Sequence, residues 1–264
     1  MADAFFVPTD DPERFLATPH TEGPWDAGLQ HAGPPCALVA RAVERVPPTT
    51  PGTASVARLT VEILGAVPVT EVTVRAAVAR PGRSVELVEA DLLAEDRLVL
   101  RARAWRIRDA AVDLPAEAVV RPARPPARPP QPTAFVDPLW QAGYLRAIEW
   151  RFVEGHFERP GPATVWARQR VPLVAGEEPS GLQRLMALAD SGNGLSRTLE
   201  MTDWWFINTE LTVHLFRQPV GEWMCVQART TLGSRGVGLA ETVLADDEGA
   251  VGRGAQALLV GPRR

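Results

Sequence analysis

The sequence predicts an α+β protein made of two similar halves, each an antiparallel sheet wrapped around a helix. Three observations carry this reading. Leu59-Thr60-Val61 recurs as Leu211-Thr212-Val213, and Arg83, Val85, Leu87 and Glu89 recur as Arg235, Val237, Leu239 and Glu241, both at an offset of 152 residues (211 − 59 and 235 − 83). An offset this long is a whole domain, not a solenoid unit. Each copy reads as one amphipathic helix followed by four alternating segments, and a proline-rich stretch separates the copies.

In the first half, Gly33-Pro34-Pro35 opens a helix, because proline suits the first turn, where its missing N–H has no intrahelical partner anyway. Val39, Ala42, Val43 and Val46 form its apolar face, and Pro47-Pro48 ends it. Strands are expected at Val56–Leu64, Thr70–Ala79, Ser84–Ala94 and Leu98–Ile107, with turns such as Pro81-Gly82 and Glu95-Asp96 between them. From Leu114 to Pro132 the chain carries Pro115, Pro122, Pro125, Pro126, Pro129, Pro130 and Pro132, which reads as a stiff linker. The second half then repeats the order. Ser180 is the N-cap, Leu182, Leu185, Met186 and Ala189 make the stripe, and Gly192-Asn193-Gly194 ends the helix. Strands follow at about Trp205–Phe216, Glu222–Leu232, Gly236–Ala245 and Ala250–Val260, the last two joined by an Asp246–Gly249 hairpin. A short strand is expected before each helix, near Phe5–Val7 and Glu149–Phe157. The division is therefore residues 1–112, a linker at 113–134, and 135–264.

Composition narrows the function. The chain has 264 residues, 45% of them hydrophobic, enough for two modest cores. A net charge of −4 gives no basic field for nucleic acid or an anionic membrane. All 28 basic residues are arginine, which excludes Schiff-base lysines and the phosphate loop that needs Gly-Lys. Cys36 and Cys225 lie in separate apolar stretches, and His20, His31, His156 and His214 are scattered, so neither a disulfide framework nor a metal site is expected. Met1-Ala2-Asp3-Ala4 lacks the basic and apolar regions of a signal peptide, and no run reaches membrane-span length, so a cytoplasmic location is expected. No Gly-rich dinucleotide loop follows a strand.

Subtracting one half from the other isolates three polar residues. Thr209 shares the expected face of Ile207, Leu211, Val213 and Leu215, where the first half has Ala57. Gln256 faces inward between Gly252 and Gly254, which leave room for something other than side chains, where the first half has Ala104. Asp190 ends the second helix, where the dipole opposes a negative charge and suits a proton acceptor. Each has a structural alternative: a hydroxyl bonded to backbone, a core amide on the helix end, a capping aspartate. Their coincidence in one half favours a site.

Ala-Leu-Ala-Asp190, the run from Asn208-Thr209 to Pro219, and Val251-Gly-Arg-Gly-Ala-Gln256 resemble the type II acyl-CoA thioesterases, tandem (double) hotdog proteins of a broader thioesterase-like superfamily. Gln30-His31-Ala32-Gly33-Pro34-Pro35 and the linker extend the likeness to the whole chain. The segment between Asp190 and Thr209 is shorter than in the best-known members, and His214-Leu215 stands where they carry Met-Trp.

The resemblance implies hydrolysis of an acyl-CoA thioester without a covalent intermediate or a separate cofactor, CoA being part of the substrate. Asp190 would be the base, with Thr209 and Gln256 holding the attacking water. Gly33 is an oxyanion-donor candidate at a helix N-terminus, with a plain tight turn as its alternative, and His31 reads as a loop or wall residue. The acyl chain would lie between helix and sheet against Met186, Leu211 and Val213, and a CoA phosphate against Arg217, Arg229 or Arg235. Trp204-Trp205-Phe206 reads as core, interface or a cover over the pocket. The rival reading is a protein that binds an acyl-CoA or lipid thioester without cleaving it. A homodimer or higher oligomer is expected.

Overall fold

In a computed structural model of the chain, residues 3–49, 51–119, 123–141 and 143–263 are described. Met1, Ala2 and Pro122, used above, lie outside them. The first half contains β1 (Phe6–Pro8), β2 (Arg14–Ala17), α1 (Gly33–Arg45), β3 (Ala54–Ile63), β4 (Glu71–Arg80), β5 (Val85–Ala94) and β6 (Arg97–Arg108). The second contains α2 (Gly143–Ala147), β7 (Ile148–His156), β8 (Arg159–Gln169), α3 (Gly181–Ala189) and α4 (Gly192–Leu195), then β9 (Trp204–Asn208), β10 (Glu210–Leu215), β11 (Met224–Leu232), β12 (Val237–Asp246) and β13 (Gly249–Pro262).

The sheet runs β1-β2-β4-β5-β6-β3-β10-β13-β12-β11-β8-β7, with β9 also paired to β13. Its two halves are mirror sequences about the β3–β10 seam, β2-β4-β5-β6-β3 matching β8-β11-β12-β13-β10, which is the tandem hotdog order. All named strand pairs are antiparallel, as α+β requires. One long strand escaped the sequence reading. Pro160 and Pro162 make the start of β8 look like loop, but β8 pairs with β11 only from Ala163 onward, so no β11 bond is lost to the missing donors.

Two cores were expected, yet one contiguous apolar cluster spans both halves. The reason is that the helices meet face to face. A Cβ on Gly33, at the start of α1, would stand 2.2 Å from the Ala187 carbonyl near the end of α3, an approach that only glycine permits. At the other end Glu44 accepts hydrogen bonds from Ser180 Oγ (2.8 Å) and Gln183 Nε2 (2.7 Å), so the helices are antiparallel. Ser180 is the expected N-cap, accepting from Gln183 N at 3.1 Å. The Gly192-Asn193-Gly194 stop is instead the first turn of α4, entered directly after Asp190.

The linker is docked, not free. Pro126 O accepts from Trp166 Nε1 (2.9 Å), and Pro129 O and Pro130 O accept from Arg151 Nη1 (2.9 and 3.0 Å). Arg128 lies over the Trp223 ring and pairs with Asp247 at 2.9 Å. Neither cysteine is paired, and both are buried. No helix among the described residues is long and apolar enough to cross a membrane.

Candidate active site

The site lies where the end of α3 meets the start of α1. Asp190 caps α3 and is 4% exposed. Its Oδ1 accepts from Asn208 Nδ2 at 2.8 Å and lies 3.4 Å from Gln256 Nε2. Gln256, 1% exposed on β13, points inward as expected. It donates to the Asp190 main-chain oxygen at 3.0 Å and accepts from Asn193 N at 3.0 Å, fastening α4 to the carboxylate. A Cβ on Gly192 would come within 2.8 Å of Gln256 Oε1, so glycine is what lets α4 settle on the amide. The flanking glycines do not leave ligand space: a Cβ on Gly254 would meet Thr242 Oγ1 at 2.5 Å, and one on Gly252 the His214 carbonyl at 2.0 Å.

Thr209 does not join them. It is exposed, and its hydroxyl donates to Ala257 O at 3.3 Å. The cause is a bulge between β9 and β10. Asn208 faces Leu258 and Thr212 faces Ala255, so residues 208 to 212 span four steps against three on β13. Ile207 is turned out as well, at 42% exposure, while Phe206 and Asn208 turn in. The polar run Asn208-Thr209-Glu210, which interrupts strict alternation, was the available sign. Glu210 fixes the bulge by accepting Ala257 N at 2.8 Å.

His31 is more than a wall residue. Its Nδ1 lies 3.2 Å from Asp190 Oδ2 and accepts the Gly33 N–H at 3.0 Å. Burial lowers its pKa against the upward pull of the Asp190 charge, so the imidazole is neutral at pH 7. The ring stacks on Tyr144, centroids 3.8 Å apart. Tyr144, the chain's single tyrosine, donates to Ala187 O at 2.8 Å and sits 2.8 Å from Ser191 Oγ. Sequence reasoning passed over it because α2 is only one turn long. Cys36, one turn into α1, is held as the thiol by burial and by the Asp190 charge.

Other expected contacts fall elsewhere. Met186 and Leu211 are fully buried in the main core and border no part of the cavity beside His31. That cavity is bounded by Trp25, Trp140, Phe157 and Phe206, with Asn193 at its polar end. The Trp204–Phe206 run thus contributes Phe206 to the wall, while Trp205 packs under Arg263 at 3.9 Å. Arg217 pairs with buried Asp246 and donates to Gly249 O at 2.8 Å, closing the β12–β13 hairpin, so it is not available to a phosphate. Arg229 and Arg235 are exposed. Among the described residues no three His, Cys, Asp or Glu side chains group as metal ligands.

The strand order defines a double-hotdog protein, and its polar centre lies at the junction of the two halves. Residues 21–107 match the family model of the acyl-CoA thioesterase N-terminal domain, and residues 120–260 that of the acyl-CoA thioesterase C-terminal domain. The chain belongs to the acyl-CoA thioesterase family. Its backbone is similar to that of a hot dog fold protein of unknown function from Alicyclobacillus acidocaldarius (TM-score 0.71, 17% identity, 97% of this chain and 95% of that one). It is also similar to a putative thioesterase II from Thermobifida fusca (TM-score 0.70, 20% identity, 97% and 95%). An acyl-CoA thioesterase II from Mycobacterium marinum matches at TM-score 0.66 and 14% identity, over 97% and 94%. No curated protein matches the chain.

Proposed function

We propose that the protein hydrolyses an acyl-CoA thioester to the free acid and CoA, with Asp190 as general base. The observation that carries this is the asymmetric grip on the carboxylate. Oδ1 is occupied by Asn208 and Gln256, while Oδ2 faces the unprotonated His31 Nδ1 at 3.2 Å and is the oxygen that takes a proton in this reading. Asp190 removes a proton from water as the water oxygen attacks the thioester carbonyl carbon. The C–S bond breaks, and the departing thiolate takes up the proton. Gln256 and Asn208 act by orienting Asp190, a change from the expectation that Thr209 and Gln256 hold the water.

The developing oxyanion needs donors. The Gly33 N–H at the head of 13-residue α1 carries a favourable dipole and is held in reserve by His31 Nδ1. CoA is a substrate in this reading and no further cofactor takes part.

Release of CoA thiol from acyl-CoAs by the purified protein tests the reading. Asp190→Asn is expected to fold normally and lose about 100-fold or more in turnover. An unchanged rate removes Asp190 from the chemistry. Tight acyl-CoA binding with no turnover by the native protein gives the non-catalytic binding reading instead.

A further inference from the structure

We propose that the acyl group occupies the small aromatic chamber beside His31, and that Trp140 and Met201 restrict it to two or three carbons. This rests on the thioesterase reading above and names its substrate class.

The chamber has a volume of ≈ 40 Å³. At 10–15 Å³ per water by the same measure, it holds about three waters, or roughly 90 Å³ of liquid. That is room for an acetyl or propionyl group and not for a longer chain. Its walls are braced. Trp140 stacks on Phe157 with centroids 5.4 Å apart, and Trp25 meets Phe206 edge-on at 5.2 Å. Trp140, Phe157 and Phe206 are all nearly fully buried, so widening the chamber means repacking the core. Arg197 braces Trp140 from outside, its guanidinium 5.7 Å from the ring and bonded to Phe157 O at 3.1 Å.

A second cavity of ≈ 380 Å³ opens outward, flanked by Glu158 and Thr202. The two cavities share Trp140 and Met201 as walls, so these side chains are the partition between them. A chain longer than three carbons would have to displace Met201. The lining also includes Gly194, where an added Cβ would meet no atom within 4 Å, so none of Asp190, Asn208 and Gln256 lies that close to it.

The test compares acetyl-, propionyl-, hexanoyl- and decanoyl-CoA with the native protein, Met201→Ala and Gly194→Val. The native protein is expected to favour acetyl or propionyl over hexanoyl by about tenfold or more in kcat/KM. Met201→Ala should raise hexanoyl turnover by about tenfold, and Gly194→Val should lower propionyl more than acetyl. A native preference for decanoyl-CoA, or a folded Met201→Ala and Gly194→Val pair with the native chain-length profile, overturns the proposal. If no thioester is cleaved, the hydrolase reading fails, and titration with the thioethers S-propyl-CoA and S-decyl-CoA then reads the chamber alone. Tighter binding of the propyl compound upholds the chamber's size; equal or tighter binding of the decyl compound overturns it.

Discussion

Thr60 and Thr212 are each other's repeat equivalents, and they face one another across β3 and β10 with their Oγ1 atoms 3.1 Å apart. A residue paired with its own copy marks a local twofold axis. That axis relates the two helix junctions, Asp190 with His31 at one and Glu44 with Ser180 at the other. The first is buried and gripped by two amides; at the second Glu44 is exposed. Differences between equivalent positions therefore separate what the shared fold needs from what one lobe adds, and four predictions rest on them and on their surroundings.

Asn208 and Thr209 are neighbours with opposite orientations. Asn208→Ala removes the donor to Asp190 Oδ1 and is expected to lower kcat by about tenfold to a hundredfold, the range for an impaired general base. Thr209→Ala changes an exposed hydroxyl and should stay within about threefold. Steady-state acyl-CoA hydrolysis by the two variants decides it, and a larger loss at Thr209 would return the hydroxyl to the reaction centre.

Gly33→Ala places a methyl carbon 2.2 Å from Ala187 O, which neither helix can accommodate without shifting. Overpacking of this kind costs about 1–3 kcal/mol or more. Urea unfolding should show a lower midpoint with an unchanged slope; a native midpoint would mean that the helix contact is looser than described.

His31 links pH to stability. Its folded pKa is lowered from 6.5 by burial, so below 6.5 the unfolded chain binds a proton that the folded site resists. This contribution to stability is complete above 6.5 and declines as pH falls towards the folded value. His31→Gln should flatten that part of the curve while leaving the later acid loss. Unfolding free energy measured every half pH unit checks this, and parallel curves would sink it.

Arg106 and Glu86 form a buried ion pair at 2.6 Å, with Arg106 also donating to Val46 O at 2.7 Å at the end of α1. The second half has Leu258 and Gly238 at these positions, so the pair belongs to one lobe only. Arg106→Met strands the Glu86 carboxylate and is expected to cost about 3–5 kcal/mol. Adding Glu86→Gln should recover part of it; thermal unfolding of the single and double variants measures both.

The halves, both helices and seven of the eight long strands were legible because apolar periodicity and a 152-residue repeat are local or self-referential signals, while the eighth, expected at Trp205–Phe216, is broken into β9 and β10. Asp190 and Gln256 were legible by subtraction and do meet. Thr209 misled because a bulge shifts alternation by one residue, and the expected faces assumed an unbroken strand. His31 and Tyr144 come to Asp190 from different segments, through a helix–helix contact set by Gly33 that spacing along the chain does not encode. The size of the aromatic chamber depends on Trp140, which follows the linker and finds Phe157 only in three dimensions.

Carrying α1 and α3 as an antiparallel pair within one polypeptide has a consequence for how the molecule can vary. His31 and Asp190 are contributed by opposite lobes yet inherited together. An unfused ancestor with identical subunits would present both junctions alike, and any adjustment to one would alter its twin. Here the Glu44 end and the Asp190 end can change independently, so tolerance to substitution should differ sharply between two places of nearly the same shape.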